Sequence, residues 1–174
     1  MKKIFYILII YLCNFSFAFS LIEVDITRGN LDPLPVAISP LHVDVQSDNY
    51  KDVKVKGLGE LISSVVEKNF RSTGLFNPLN KDAFVQKPDI AHLKPRFEDW
   101  SLITAQALVT GKILVKDEKL KVEFRLWDVA ANKEMIALAF TTTPSNWRRV
   151  AHIISDKIYE RLTGETGYFD TRII

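Results

Sequence analysis

The sequence predicts an α/β fold: a two-layer sandwich in which two main helices pack on a mixed sheet of five or six strands. Three observations carry that expectation. Two segments repeat apolar residues at helical spacing, and each stops at a glycine. The run Leu34-Pro35-Val36-Ala37-Ile38 is continuously apolar, as suits a strand covered on both faces. Residues 107–141 hold three consecutive strand patterns with short polar links, which fold most simply as an antiparallel meander.

The first twenty residues stand outside that fold. Lys2-Lys3 precede an apolar run from Ile4 to Cys13, and small residues follow at Ala18 and Ser20. This is the pattern of a secretory signal, residues 1–20, with cleavage after Ala18 or Ser20. The run is too short to cross a bilayer, so no membrane anchor is expected. Cys13 is the only cysteine, so the exported chain has no disulfide and no thiolate metal site. Tyr11-Leu12 before it are too bulky for a lipoprotein cleavage box. Without Lys2 and Lys3 the chain holds 21 basic and 21 acidic residues. That neutrality points away from nucleic acid and anionic membranes. About 150 exported residues make one domain, expected to be monomeric.

Ile22, Val24 and Ile26 alternate with Glu23, Asp25 and Thr27 before Arg28-Gly29-Asn30 breaks the pattern and Leu31-Asp32 lead to Pro33. The alternation predicts a short strand followed by a turn. Placed at the chain's end, it serves either as an edge strand of the domain's own sheet or as a free strand awaiting another molecule. Residues 34–38 form the next strand, ending at Pro40, and residues 42–56 read as polar and irregular.

Leu58, Leu61, Ile62, Val65, Val66, Asn69 and Phe70 make one helix stripe, with Ser63, Ser64, Glu67 and Lys68 opposite and Gly74 as the C-terminal cap. Leu75 to Leu79 is extended, because the residue before Pro78 avoids the helical basin. Residues 80–98, with Pro88 and Pro95, read as loop, and Glu98 to Thr104 as a short helix around Trp100. Strands follow at 107–115 around Gly111, at 120–126 with strict alternation, and at 135–141 after a turn at Ala130-Ala131-Asn132. Thr143 and Pro144 open the last helix. Trp147, Val150, Ala151, Ile154, Ile158 and Leu162 form its buried stripe, and Gly164 ends it.

Signals of catalysis are absent. His42, His92 and His152 are far apart in sequence, and no phosphate-binding glycine loop, nucleophile elbow or acidic calcium loop occurs. No catalytic residue, metal site or cofactor is therefore assigned. His152 reads as a solvated residue paired with Asp156 one turn on; a hydrolase would need it beside a serine and a second acid. Trp100, Trp127 and Trp147 read as core-rim residues; as a sugar platform they would instead make a small-molecule or peptidoglycan binder. Arg148-Arg149 read as solvated surface, and Gly57 and Gly59 as weak evidence of any site.

Several of these stretches carry a family resemblance. "FRSTGLFNPLN" (70–80) and "HIISDKIYERLTGETGYFDTRI" (152–173) resemble the amino-terminal domain of the TolB family. "FVQKP" (84–88), "WSLITAQALVTGKI" (100–113) and "FRLWD" (124–128) are similar to it in the same order. The resemblance implies a non-enzymatic periplasmic protein of the Tol–Pal system, serving outer-membrane constriction in division and envelope integrity. It implies an amino-terminal segment, residues 21–33, that engages TolA through Ile22, Glu23, Val24, Asp25, Ile26, Thr27, Arg28, Gly29, Asn30, Leu31 and Asp32. The α/β domain would then be residues 34–165. Residues 166–174 would begin the family's carboxy-terminal β-propeller, the part that binds Pal and that this sequence does not continue into.

Overall fold

The computed structural model describes residues 22–23, 32–45, 55, 57–116 and 119–171. Six strands form one mixed sheet. They are β1 (Leu34–Ile38), β2 (His42–Val45), β3 (Phe76–Pro78), β4 (Ala107–Lys116), β5 (Lys119–Asp128) and β6 (Lys133–Thr142). β1 lies between β3 and β4, parallel to both, and β4-β5-β6 continue as an antiparallel meander. The α/β sandwich with its mixed sheet and meander is thus as the sequence predicts.

β2 corrects one expectation, because residues 42–45 are ordered strand and not irregular chain. Val36 to Ile38 pair with Ala107 to Val109, and His42 to Val45 pair with Lys112 to Val115. β1 and β2 are therefore two halves of one line beside β4, broken at Ser39-Pro40-Leu41. Pro40 has no N–H to give the ladder, which forces the break.

Two long helices cover one face: α1 (Leu58–Thr73) and α4 (Trp147–Thr163). Gly74 and Gly164 cap them in the left-handed conformation, with φ of 71° and 75°. Ile62, Val66, Phe70, Ile154, Ile158 and Leu162 meet Val36, Ile38, Val109, Ile113, Val122 and Phe124 in the main core. Each such side chain contributes about 1.5–3 kcal/mol on leaving water. Trp147 packs at the edge of this core. α4 is preceded by a 3₁₀ turn at Pro144–Asn146, so Thr143 and Pro144 start that turn and the α-helix begins three residues later.

The α1 stripe is rotated from the expected one: Leu61 is exposed and Ser63 buried. The helix start explains the shift. A Cβ on Gly59 would stand 1.9 Å from the Leu41 carbonyl oxygen, so backbone meets backbone there. Leu41 N–H also donates to the Gly59 carbonyl at 3.4 Å. Ser63 Oγ donates to Glu60 O and accepts from Lys81 Nζ, which satisfies it in the buried position. Gly59→Ala should therefore destabilise the protein by about 1–3 kcal/mol, measured by urea unfolding, despite alanine's better helix propensity. A stabilised variant would show that the contact has slack.

Residues 80–106 cover part of the opposite sheet face. They contain a 3₁₀ turn (Lys81–Ala83) and two short helices, α2 (Pro88–Ala91) and α3 (Phe97–Leu102), where a loop and one helix were expected. Trp100 is the largest side chain of a second small cluster with Ala37, Ala91, Ala105, Leu108 and Val129. It is 1% exposed, the interior of this cluster and not a rim.

Candidate partner-binding site

Of the candidate residues, Ile22, Glu23 and Asp32 fall among those described. Val24, Asp25, Ile26, Thr27, Arg28, Gly29, Asn30 and Leu31 lie outside the described residues, as does most of the strand expected at 22–27; Ile22 and Glu23 themselves are not in a strand. Ile22 is docked on its own domain. Its side chain packs against the main core, and its N–H donates to Asp128 Oδ2 at 3.2 Å. Asp128 ends β5 and is 1% exposed. Its other oxygen accepts from Ala131 N at 2.8 Å, closing the β5–β6 turn in which Asn132 takes φ 53°. One buried carboxylate thus ties Ile22 to a hairpin turn. Charge-assisted bonds of this kind are stronger than neutral ones.

Glu23 is exposed. It borders an open groove of about 390 Å³ with Ile136, Lys157, Glu160, Arg161 and Gly164, where α4 ends beside β6. Asp32 and Pro33 are exposed at the entry to β1. β5 and β1 are separated only by β4, a distance of about 10 Å. The nine links between Glu23 and Asp32 could span about 30 Å. That reach exceeds the distance between the two strand ends.

His152 is placed differently from its sequence expectation. Asn69 Nδ2 of α1 donates to His152 Nδ1 at 3.0 Å and to Ser155 Oγ at 2.8 Å. Ser155 is fully buried and donates to Ala151 O. The amide therefore stands between ring and hydroxyl, and the serine has no access to a substrate. Asp156 does not pair with His152. Its oxygens accept the amides of Phe169 (2.7 Å) and Asp170 (3.0 Å), holding the segment after α4 against that helix. Arg148 and Arg149 are exposed, as expected; Arg149 Nε also meets Asp170 at 3.2 Å, and Arg148 lies over the Trp147 ring.

The tryptophans offer no platform. Trp100 Nε1 donates to Gln86 Oε1 and its ring meets Phe84 edge-on. Trp127 donates to Thr110 Oγ1 and is covered by Phe97. Among the described residues no group of three or more His, Cys, Asp or Glu is placed to hold a metal. None of their helices is long and apolar enough to cross a membrane. Sequence reasoning missed Asp128, whose carboxylate four residues before a turn asparagine signals a turn but not its amino-terminal partner.

The family described as the TolB amino-terminal domain matches residues 22–135. The Tol-Pal system protein TolB of Pelagibacter ubique (strain HTCC1062) is 68% identical over 171 residues, which are 97% of this chain and 38% of that protein. The chain therefore spans well under half of that relative. The crystal structure of TolB from Acinetobacter baumannii matches with a TM-score of 0.60 at 22% identity, over 87% of this chain and 33% of that one. At that identity the likeness speaks for the fold alone.

Proposed function

The chain belongs to the TolB amino-terminal domain family, and from that premise we propose that it is a non-enzymatic interaction module of the Tol–Pal system in the periplasm. Its residues 21–33 engage TolA, in support of outer-membrane constriction and envelope integrity. Pal is left to the propeller of the longer relatives.

The observation that supports this reading is the anchor at Ile22. One amide–carboxylate bond and one partly buried side chain hold the start of a segment that is exposed at Glu23 and again at Asp32. Such an attachment is easily exchanged. A released strand presents backbone donors and acceptors to a partner's sheet edge. Ile22, Val24 and Ile26 then fill pockets on one side, while Glu23 and Asp25 steer toward basic residues on the other. Ordering costs about 1–2 kcal/mol per backbone residue, which keeps capture weak and reversible.

Deleting residues 21–32 tests the reading. Calorimetric titration with the periplasmic part of TolA should show binding lost, while the melting temperature falls only slightly. Unchanged TolA binding with melting lowered by several degrees would make the segment a structural edge strand.

A further inference from the structure

The far edge of the meander carries a second feature, independent of the amino-terminal segment. β6 is ten residues long, and among the described residues it pairs only with β5. From Met135 to Thr142 it has no charge, proline or glycine, so the features that blunt an edge, Lys133, Glu134 and the register shift at Met135, are confined to its start. Ala137, Leu138, Ala139 and Thr141 are exposed along it.

The face turned away from α1 and α4 is cationic. Cross-strand pairing aligns Thr141 with Lys121, Ala139 with Glu123 and Lys112, and Ala137 with Arg125. Lys116 and Lys119 stand directly opposite each other where β4 meets β5, a like-charge pairing that costs stability. Among the described residues of the sheet, five cations thus share this face with Asp44, Glu123 and Glu134. Lys121 and Lys112 both reach Glu123, at 2.7 and 3.6 Å, and Arg125 reaches Glu134 at 3.0 Å. The hydrogen bond from Lys121 above all holds the Glu123 carboxyl below its ordinary range. A cleft of about 190 Å³ on this face is lined by Lys112, Glu123 and Arg125 together with Ala137, Ala139 and His92.

We propose that β6 is an acceptor edge for an extended, acidic segment of a partner protein. The segment adds as a further strand beside β6, with alternate Asp or Glu side chains over the alanine row. Successive strands are about 4.8 Å apart, so carboxylates on the added strand and the long side chains of β5 flank that row from either side. Only small residues at 137 and 139 let them meet across it. Backbone bonds supply affinity without sequence preference, and the cations select acidic partners. A second copy of this chain fits poorly, because its own β6 brings no acid between 135 and 142 and would set cation against cation.

The test uses the exported chain and two capped decapeptides, one alternating Glu with Val and one alternating Lys with Val. The acidic peptide should bind, slow amide exchange across residues 133–142, and weaken steeply as salt is raised. The lysine peptide should do neither. Ala139→Glu should weaken the acidic peptide about tenfold. The double variant K121E/R125E should reverse the preference toward the lysine peptide, an outcome that misfolding cannot produce. The inference is overturned if the acidic peptide leaves β6 exchange unchanged, or if the double variant keeps the original preference. It is also overturned if β6 is protected without peptide in a species of dimeric mass, or if phosphatidylglycerol vesicles protect it where the peptide does not.

Discussion

Asp128→Ala is expected to destabilise the protein by about 2–4 kcal/mol and to free Ile22 at the same time. The carboxylate is buried and serves two backbone amides, Ile22 N and Ala131 N. Each amide left without a partner costs about 1–3 kcal/mol where water cannot replace the lost oxygen. Asp128→Asn separates the two roles. Its remaining carbonyl can still accept from Ala131, while an amide group then faces the Ile22 N–H, donor against donor. The asparagine variant should lose less stability than alanine, yet show equally fast exchange at Ile22. If docking on the domain competes with capture by TolA, both variants should bind TolA several-fold more tightly, because a larger fraction of the segment is already free. Urea unfolding, amide exchange and titration with TolA read the three quantities separately. Stability lost with TolA affinity unchanged would sever the anchor from function.

The division between what the sequence revealed and what it hid follows the range of the interactions. The caps at Gly74 and Gly164, the meander and the α4 stripe depend on neighbours within a turn or across a tight hairpin, and they appear where expected. β2 was hidden because His42-Val43-Asp44-Val45 gains strand character only by pairing with Lys112 to Val115, some seventy residues on. Ser63 displaced Leu61 from the buried face because Gly59 seats the helix on Leu41 and Lys81 reaches in from another segment. His152 met Asn69 of a different helix, and Asp156 was taken by two backbone amides beyond the helix end. The alternation of residues 22–27 predicts a strand, most of which lies outside the described residues, and carries no information about the anchor at Ile22. That anchor lies 106 residues away, on a carboxylate whose local signature is only a turn.

Trp100→Ala should have the largest effect of all, a loss of about 3–5 kcal/mol. The ring is 1% exposed and sits edge-on to Phe84 at 5.1 Å. Its cluster is otherwise built from the small Ala37, Ala91 and Ala105 with Leu108 and Val129, while Leu79, Phe84, Ile103 and Trp127 pack against it from outside. The indole N–H also fixes Gln86 Oε1, which accepts from Arg96 N as well, while Gln86 Nε2 donates to Lys94 O. Removing the ring therefore loosens a polar clasp that organises residues 86–96, besides opening a cavity. This cluster is separate from the main core on the other sheet face. The loss should accordingly fall on residues 80–106 first, leaving α1, α4 and the meander folded at intermediate urea. Two probes distinguish this from global weakening. Fluorescence of Trp127, which packs on this cluster, should change before the far-ultraviolet circular dichroism, and the urea slope of the first step should be shallow. Trp100→Phe keeps most of the volume but not the N–H, and should cost about 1–2 kcal/mol in one coincident transition. A single cooperative transition in the alanine variant would mean that the two clusters are one unit, and that the outer cover stands or falls with the helices across the sheet.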